Sequence, residues 1–285
     1  MKPAPFCYHA PKTIEEAIAT LARVASDDGR VLAGGQSLVP TMAFRLARPR
    51  HLVDINGVAA LARLAVEDGQ LCIGACVRHA AFERPVAQGP LGELLKQVVQ
   101  HIAHRPIRAR GTFCGSIAHA DPASEWCLVA AGLGAEMVAR SALGTRVIAA
   151  KDFFAGIMTT ALREDELLTE LRLPLLAPDV RFGFYEFNRR AGDFAIAMAL
   201  VTYRLKNSAI VEPCVAVGGA EATPRRIAQA ERLLDGSMPS ADIFAAAADA
   251  AAKAADPLDD QQNSADYRRA LVRTVVRRAL ARAAI

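Results

Sequence analysis

The 285-residue sequence is short of several things, and each shortage closes a class of function. Its six cysteines, at 7, 72, 76, 114, 127 and 214, include no C-x-x-C pair. Cys72 and Cys76 are four apart in an alternating strand pattern with no histidine or cysteine partner nearby. The spacing therefore offers no zinc or iron–sulfur ligand set, and free, buried thiols are expected. The six histidines are scattered. His101 and His104 share a helical face without a third ligand, and read as structural or surface residues. No apolar run approaches a membrane span; residues 195–203 make up about half of one. The N-terminal MKPAPFCYHAPK lacks the apolar segment of a secretory signal, which predicts a soluble, cytoplasmic protein. The net charge is only +4, from 34 basic and 30 acidic residues. With no concentrated basic surplus and no aromatics interleaved among arginines, nucleic acid is disfavoured as a partner. G-x-G-x-x-G and G-K-[ST] phosphate loops are missing. With 52% apolar and 22% charged residues, intrinsic disorder is excluded too.

Local signals mark out an α+β chain. Thr13-Ile14-Glu15-Glu16 is a capping box. Ile14, Ala17, Ile18, Leu21 and Ala25 follow at helical spacing, with Gly29 as the expected stop. A strand over 30–33, a helix over 38–46 and a strand over 51–55 come next. Strands over 61–66 and 71–75 flank Glu67-Asp68-Gly69-Gln70, a hairpin turn. Helices are expected over 91–102 and 123–133 with a loop over 105–116 between them, and strands over 136–140, 145–149 and 167–173. Two prolines within 174–178 mark the best domain boundary. Beyond it come three antiparallel strands (182–187, 195–204, 211–217), a helix begun by Thr223-Pro224, and alanine-rich helices over 240–255 and 265–283. Arg268, Arg269, Arg273, Arg277, Arg278 and Arg282 line the last helix, as a solvated face or a docking surface.

Three segments carry chemistry. In Leu32-Ala33-Gly34-Gly35-Gln36-Ser37-Leu38-Val39 a strand runs into a double-glycine turn and then a helix. Glycine permits positive φ and close backbone approach. Successive amides at a helix start can cradle a pyrophosphate, with Ser37 as a hydroxyl donor; an ordinary tight turn has the same signature. The stretch from Gly111 to Glu125 adds a second small-residue turn, hydroxyls at Thr112 and Ser116, and the acids Asp121 and Glu125. The two loops either clamp one elongated phosphate-bearing ligand or are unrelated turns. In Arg189-Arg190-Ala191-Gly192-Asp193-Phe194-Ala195, two cations and an aromatic precede a strand; on pattern alone such an aromatic is more often core than cofactor partner.

In this order the segments resemble the FAD-binding medium subunit of the molybdenum hydroxylases, the xanthine dehydrogenase and carbon monoxide dehydrogenase family. The likeness covers the whole chain: F-x-Y-x-x-P-x-T-x-x-E-A from Phe6 to Ala17, AGGQSL at 33–38, T-x-x-G-S-x-A-H-A-D-P-A-S-E at 112–125, RRAGDFA at 189–195, and Y-R-R-A-L…R-R-A-L at 267–280. It implies an α+β, two-subdomain FAD-binding fold of the vanillyl-alcohol-oxidase-like type at 1–57 and 58–177. A C-terminal domain with a three-stranded antiparallel sheet and helices would follow at 178–285. Leu32, Ala33, Gly34, Gly35, Gln36, Ser37, Leu38 and Val39, with Thr112, Cys114, Gly115 and Ser116, would hold the FAD pyrophosphate. Glu125, beside Asp121, would lie near the ribityl or ribose hydroxyls. Leu168 would touch the ring system, and Glu186, Asp193 and Phe194 would flank it, Phe194 as a ring shield.

The resemblance further implies an oxidoreductase subunit with no acid–base triad and no metal of its own. A large molybdopterin subunit would hydroxylate substrate, and a small subunit with 2Fe–2S clusters would pass electrons to FAD here and on to an acceptor. The assembly would be a dimer of heterotrimers, with no nucleic acid and no membrane span. Two departures stand out. Cys114 replaces a glycine of the second loop, adding a Cβ near the phosphates and, as one option, a redox thiol. Glu186 occupies a position where relatives often carry lysine, with Arg189 or Arg190 as candidate replacements for that cation. These departures keep a flavin-free binding or structural protein open as an alternative; a stand-alone flavin oxidase of the related fold is another.

Overall fold

The computed structural model describes residues 2–284; Met1 and Ile285, the outer limits of the first and last expected segments, lie outside the described residues. The chain opens with β1 (Cys7–His9), α1 (Ile14–Val24), β2 (Gly29–Leu32), α2 (Leu38–Ala43) and β3 (His51–Asp54). The strands form a parallel sheet in the order β1-β3-β2. α1 is capped as its sequence predicts: the Glu16 amide donates to Thr13 Oγ1 at 3.1 Å, while the Lys12 amide donates to the Glu16 carboxylate at 2.7 Å. Its stop differs from expectation. Asp28, not Gly29, takes the left-handed conformation (φ +54°), and Gly29 opens β2.

Next come β4 (Leu64–Glu67), β5 (Gln70–Gly74), α3 (Pro90–Val99), α4 (Arg105–Arg108), α5 (Phe113–His119), α6 (Glu125–Leu133), β6 (Glu136–Ser141), β7 (Gly144–Ala149), α7 (Ala150–Phe153), β8 (Phe154–Gly156), β9 (Thr159–Thr160) and β10 (Leu167–Pro174). Five strands build an antiparallel sheet in the order β4-β5-β10-β6-β7, and β8 pairs with β9 in a separate hairpin. Asp68 and Gly69 both have positive φ, as a two-residue hairpin needs. The expected loop over 105–116 is instead two helix starts: α4 and, after a short link, α5 with Thr112 as its cap. The small residues that suggested a loop are tolerated because the backbone here is pinned to neighbouring segments.

The last part holds β11 (Arg181–Phe187), β12 (Ala197–Lys206), β13 (Ala209–Gly218), β14 (Arg225–Arg226), α8 (Ala228–Leu234), α9 (Ala241–Ala254) and α10 (Ala265–Ala283). The sheet has four strands rather than three, because Arg225 and Arg226 pair with Val217 and Ala216. That pairing displaces the helix expected at Thr223-Pro224, and α8 begins at Ala228. The side-chain alternation of β12 divides two cores. Met198 and Leu200 join the core of the first two sheets, whereas Ala199, Val201 and Tyr203 join the core beneath α8–α10. α6 fits between the five-stranded and four-stranded sheets; apart from Gly134, which ends it, nearly every residue is buried. Helices apolar on all sides are found in such positions.

The basic face of α10 is not wholly solvated: part of it is tied into the chain's own fold. Arg268 is buried and donates to the carbonyls of Ile196 and Gly219, at 3.0 and 2.9 Å, and to Asp260 at 2.6 Å. Arg273 pairs with Asp249, Arg278 bonds the Tyr185 hydroxyl, and Arg282 donates to Phe184 O at 2.7 Å. Arg278 and Arg282 also lie over the Tyr185 ring. Arg268, Arg273, Arg278 and Arg282 fasten the helix to its own part of the fold.

Candidate functional site

One cavity of about 1220 Å³ gathers residues from all three parts of the chain, from Leu32 to Leu38, Thr112, Cys114 to Ser116, Asp121 to Glu125, Leu168, and Asp193 with Phe194. It exceeds the roughly 300–1,000 Å³ of an ordinary small-molecule site. Of the sequence-predicted site residues, Leu32, Ala33, Gly34, Gly35, Gln36, Ser37, Leu38, Thr112, Cys114, Gly115, Ser116, Asp121, Glu125, Leu168, Asp193 and Phe194 line it. Val39 and Glu186 do not: Val39 is half-exposed on the outer side of α2, and Glu186 is buried behind the wall.

The two glycine loops meet backbone to backbone. A Cβ on Gly34 would lie 2.5 Å from Arg110 O and 2.6 Å from Gly111 Cα, so only glycine permits this approach. Gly35 turns the chain with φ +70°, and the Val39 amide donates to its carbonyl at 3.0 Å as α2 begins. Gln36 folds back to donate to Gly34 O at 3.0 Å. The second loop is hydrogen-bonded to residues 77–79. The Phe113 amide donates to Val77 O, and the His79 amide to Gly111 O, both at 3.0 Å. Thr112 Oγ1 accepts from the Gly115 amide at 3.0 Å and so caps α5. Asp121 accepts from the Ala123 amide at 2.8 Å and shapes the turn into α6.

Two residues that the sequence did not single out brace the loops. Asn56 Nδ2 donates to Ala33 O at 2.7 Å, and its Oδ1 accepts from Arg78 at 2.6 Å, while Arg78 also donates to Arg110 O. One asparagine and one arginine thus tie both loops together; nothing in their spacing signals it. Beneath them His79 Nδ1 accepts from Trp126 Nε1 at 2.9 Å. Burial pulls His79 down to about 4, so it is neutral at neutral pH.

Cys114 is buried in α5, its φ is not positive, and its Sγ contacts Ile73 O at 3.4 Å. The added Cβ therefore points into the core rather than at the cavity. Burial raises the thiol far above the ordinary range, which removes the redox-thiol option. Cys127 and Cys214 are each pushed up to about 12 by burial. Cys7 is the exposed exception to the expected buried thiols.

The opposite side of the cavity is built differently. Phe194 is 76% exposed, at the end of a turn in which the Asp193 amide donates to Arg190 O at 3.0 Å and Gly192 has φ +85°. Gly192 packs against the His104 ring, and Asn188 Nδ2 reaches both Glu186 Oε1 at 2.9 Å and Asp193 O at 3.4 Å. Burial raises the carboxyls of Glu125 and Glu186 above the usual range; Asp121 adds to the first and Glu125 to the second. The wall is completed by Asp260, Gln262 and Asn263 ahead of α10, with Arg268 at their base.

Comparison with known proteins matches two family models along the chain. Residues 4–176 match the family described as the FAD binding domain in molybdopterin dehydrogenase, and residues 182–283 match the CO dehydrogenase flavoprotein C-terminal domain. The nicotine 6-hydroxylase medium subunit of Paenarthrobacter nicotinovorans is 37% identical over 97% of this chain and 96% of its own. The carbon monoxide dehydrogenase medium chain of Hydrogenophaga pseudoflava is 34% identical over 98% and 97%. Among solved structures, carbon monoxide dehydrogenase from Hydrogenophaga pseudoflava lacking the Mo-pyranopterin moiety superposes with a TM-score of 0.95 at 35% identity, over 99% of this chain and 98% of that one.

Proposed function

The chain belongs to the family of FAD-binding medium subunits of molybdenum hydroxylases, an oxidoreductase family, and we propose that it carries electrons from the 2Fe–2S clusters of a small subunit to an external acceptor. In this reading a large molybdopterin subunit performs the hydroxylation, the three subunits form a dimer of heterotrimers, and the complex is cytoplasmic. The observation that carries the flavin assignment is the backbone contact of Gly34 with Arg110 and Gly111 on one wall of the cavity. A pyrophosphate-bearing ligand needs such a cradle, and side chains would fill it.

Bound FAD would supply two-electron storage with exchange of single electrons. The chain's own residues then divide the work. Amides of residues 34–38, beside the Ser37 and Ser116 hydroxyls, would hold the pyrophosphate against the loop of residues 112–116, whose own amides at 113, 115 and 116 are spent on shaping that loop. Glu125 accepts hydroxyls of the ribityl or ribose segment, and Asp121 shapes the turn beside it. Leu168 packs against the ring system and Phe194 covers one face. Among the described residues no group of three or more His, Cys, Asp or Glu side chains could hold a metal ion. The relatives named for nicotine and for carbon monoxide match to similar extents, so the organic substrate is set outside this chain.

The test is the visible spectrum of the purified protein and the subunits that travel with it. A yellow chain with stoichiometric FAD and two co-purifying partners, one containing molybdenum and one iron, is the expected result. A colourless chain that cannot be reconstituted with FAD sinks the reading. Turnover by the isolated chain would favour a stand-alone oxidase instead.

A further inference from the structure

The turn that carries Phe194 has few contacts to hold it. Its base is closed where the Ile196 amide donates to Phe187 O at 2.9 Å, and its tip by the bond from the Asp193 amide to Arg190 O. Arg189, Arg190, Ala191, Asp193 and Phe194 are all exposed. The Arg190–Asp193 ion pair joins two well-solvated side chains, and such pairs add little stability. Gly192 rests on His104, where a Cβ would stand 2.6 Å from ring atom Cε1. The remaining tether is Asn188, which does not line the cavity and has no part in the electron-carrier reading.

One nitrogen of Asn188, Nδ2, donates in two directions: to Glu186 Oε1 at 2.9 Å and to Asp193 O at 3.4 Å. The first acceptor is firmly anchored. Glu186 lies within β11, paired with Met198 of β12, and its side chain has no solvent exposure. Its Oε2 has no hydrogen-bond partner among the described residues, with His101 Nδ1 3.8 Å away. The carboxyl therefore spends its internal hydrogen bonding on Asn188. An amide has a donor end and an acceptor end. Were it flipped, Asn188 Oδ1 would face two oxygens, one from Glu186 and one from Asp193. The acceptor at 186 thus fixes which end of Asn188 meets the turn. Without it the half-buried amide is free to rotate towards water, and the longer bond to Asp193 O goes with it.

We propose that Glu186 and Asn188 are positioning residues that form a latch: Glu186 orients the Asn188 amide, and Asn188 holds the turn of residues 189–194, which sets where Phe194 lies on the cavity wall. The inference rests on the flavin reading for what Phe194 covers, and on the hydrogen bonds alone for the latch. Arg189, Gly192, Asp193 and Phe194 all line the cavity, so a released turn displaces a whole section of its wall. The consequence is altered access of an electron acceptor to the ring system, with the pyrophosphate cradle on the other side left intact.

Limited trypsin digestion of the full chain tests the latch without reference to flavin, because Arg189 and Arg190 lie in the turn. Cleavage after them should be about tenfold faster in Asn188→Ala and in Glu186→Leu, since cleavage tracks the opened population. Glu186→Gln keeps an acceptor oxygen and should be cleaved like the wild type. Wild-type cleavage in Asn188→Ala overturns the latch, as does cleavage of Glu186→Gln as fast as that of Glu186→Leu. Equal acceleration after Arg45, an exposed site beyond α2, marks general unfolding and also overturns it. In the flavin-loaded complex, Asn188→Ala should keep its FAD and reproduce the altered reoxidation of Phe194→Ala. The double variant should then add nothing to Phe194→Ala alone; additive effects overturn the positioning of Phe194. A chain that takes up no FAD overturns the flavin reading and the cover over the ring, while the digestion still decides the latch.

Discussion

The two sides of the cavity are built on different principles. The wall of residues 32–38 and 111–116 is held by main chain: Gly34 rests on Arg110 and Gly111, and the second loop is paired with residues 77–79. The facing turn of residues 189–194 is held mostly by side chains, through Asn188, His104 and an Arg190–Asp193 pair 3.6 Å apart, and leaves Phe194 in the open. Main-chain contact fixes position and tolerates little substitution. A side-chain tether permits adjustment, and local openings of this kind are typical of functional segments. The difference assigns grip to one side and tuning to the other.

The most severe way to break this contrast is Gly34→Val. Its Cβ would meet backbone on the opposite loop, and neither side can yield cheaply. FAD affinity should fall roughly a hundredfold or more, about 3 kcal/mol, by fluorescence titration. Gly35→Leu should also release flavin without unfolding the chain, but less completely: its Cβ would stand 3.2 Å from the Leu32 and Val39 side chains, which can move, although φ +70° strains any residue with a Cβ. Unchanged occupancy in both would refute the grip.

The support beneath the grip has its own pH signature. His79 titrates near 6.5 when unfolded but at about 4 when folded, because burial penalises its charged form. Its contribution is therefore intact above about pH 6.5 and is lost as the pH falls towards 4, by about 3 kcal/mol. Chemical denaturation across that window should show the loss in the wild type and a flatter profile in His79→Gln, whose amide oxygen can still accept from Trp126.

Smaller effects sharpen the contrast. Asn56→Ala removes the side chain that joins the two loops and should cost about 1 kcal/mol of stability, with a modest loss of FAD affinity. Phe194→Ala should leave FAD affinity within about twofold, since the ring is 76% exposed, yet alter reoxidation in stopped flow. Unchanged reoxidation counts against its role as a shield.

What could be read in the linear chain follows its local physics. The capping box at Thr13, the hairpin turn at Asp68-Gly69 and the span of α10 depend on near neighbours, and the motifs at 33–38 and 112–125 were legible because glycine and hydroxyl residues serve backbone geometry directly. Where long-range contacts compete with local preference, the residues alone mislead. Thr223-Pro224 has the look of a helix start, but pairing of Arg225 and Arg226 with β13 makes a strand edge there. Arg268 carries the pattern of a solvated face, but the carbonyls of Ile196 and Gly219 from distant segments, with Asp260 from the adjoining loop, draw it into the interior.

The same division applies to the site. The composition and motifs of this chain point to its class, an α+β flavoprotein subunit, because those traits depend on which residues are present and on short spacings. Only the tertiary structure decides that Gly34 touches Gly111, that Cys114 turns its thiol into the core, and that Glu186 Oε2 is buried without a hydrogen-bond partner. Those facts depend on burial and on contacts between segments far apart in the chain, and burial is a property of the packed whole.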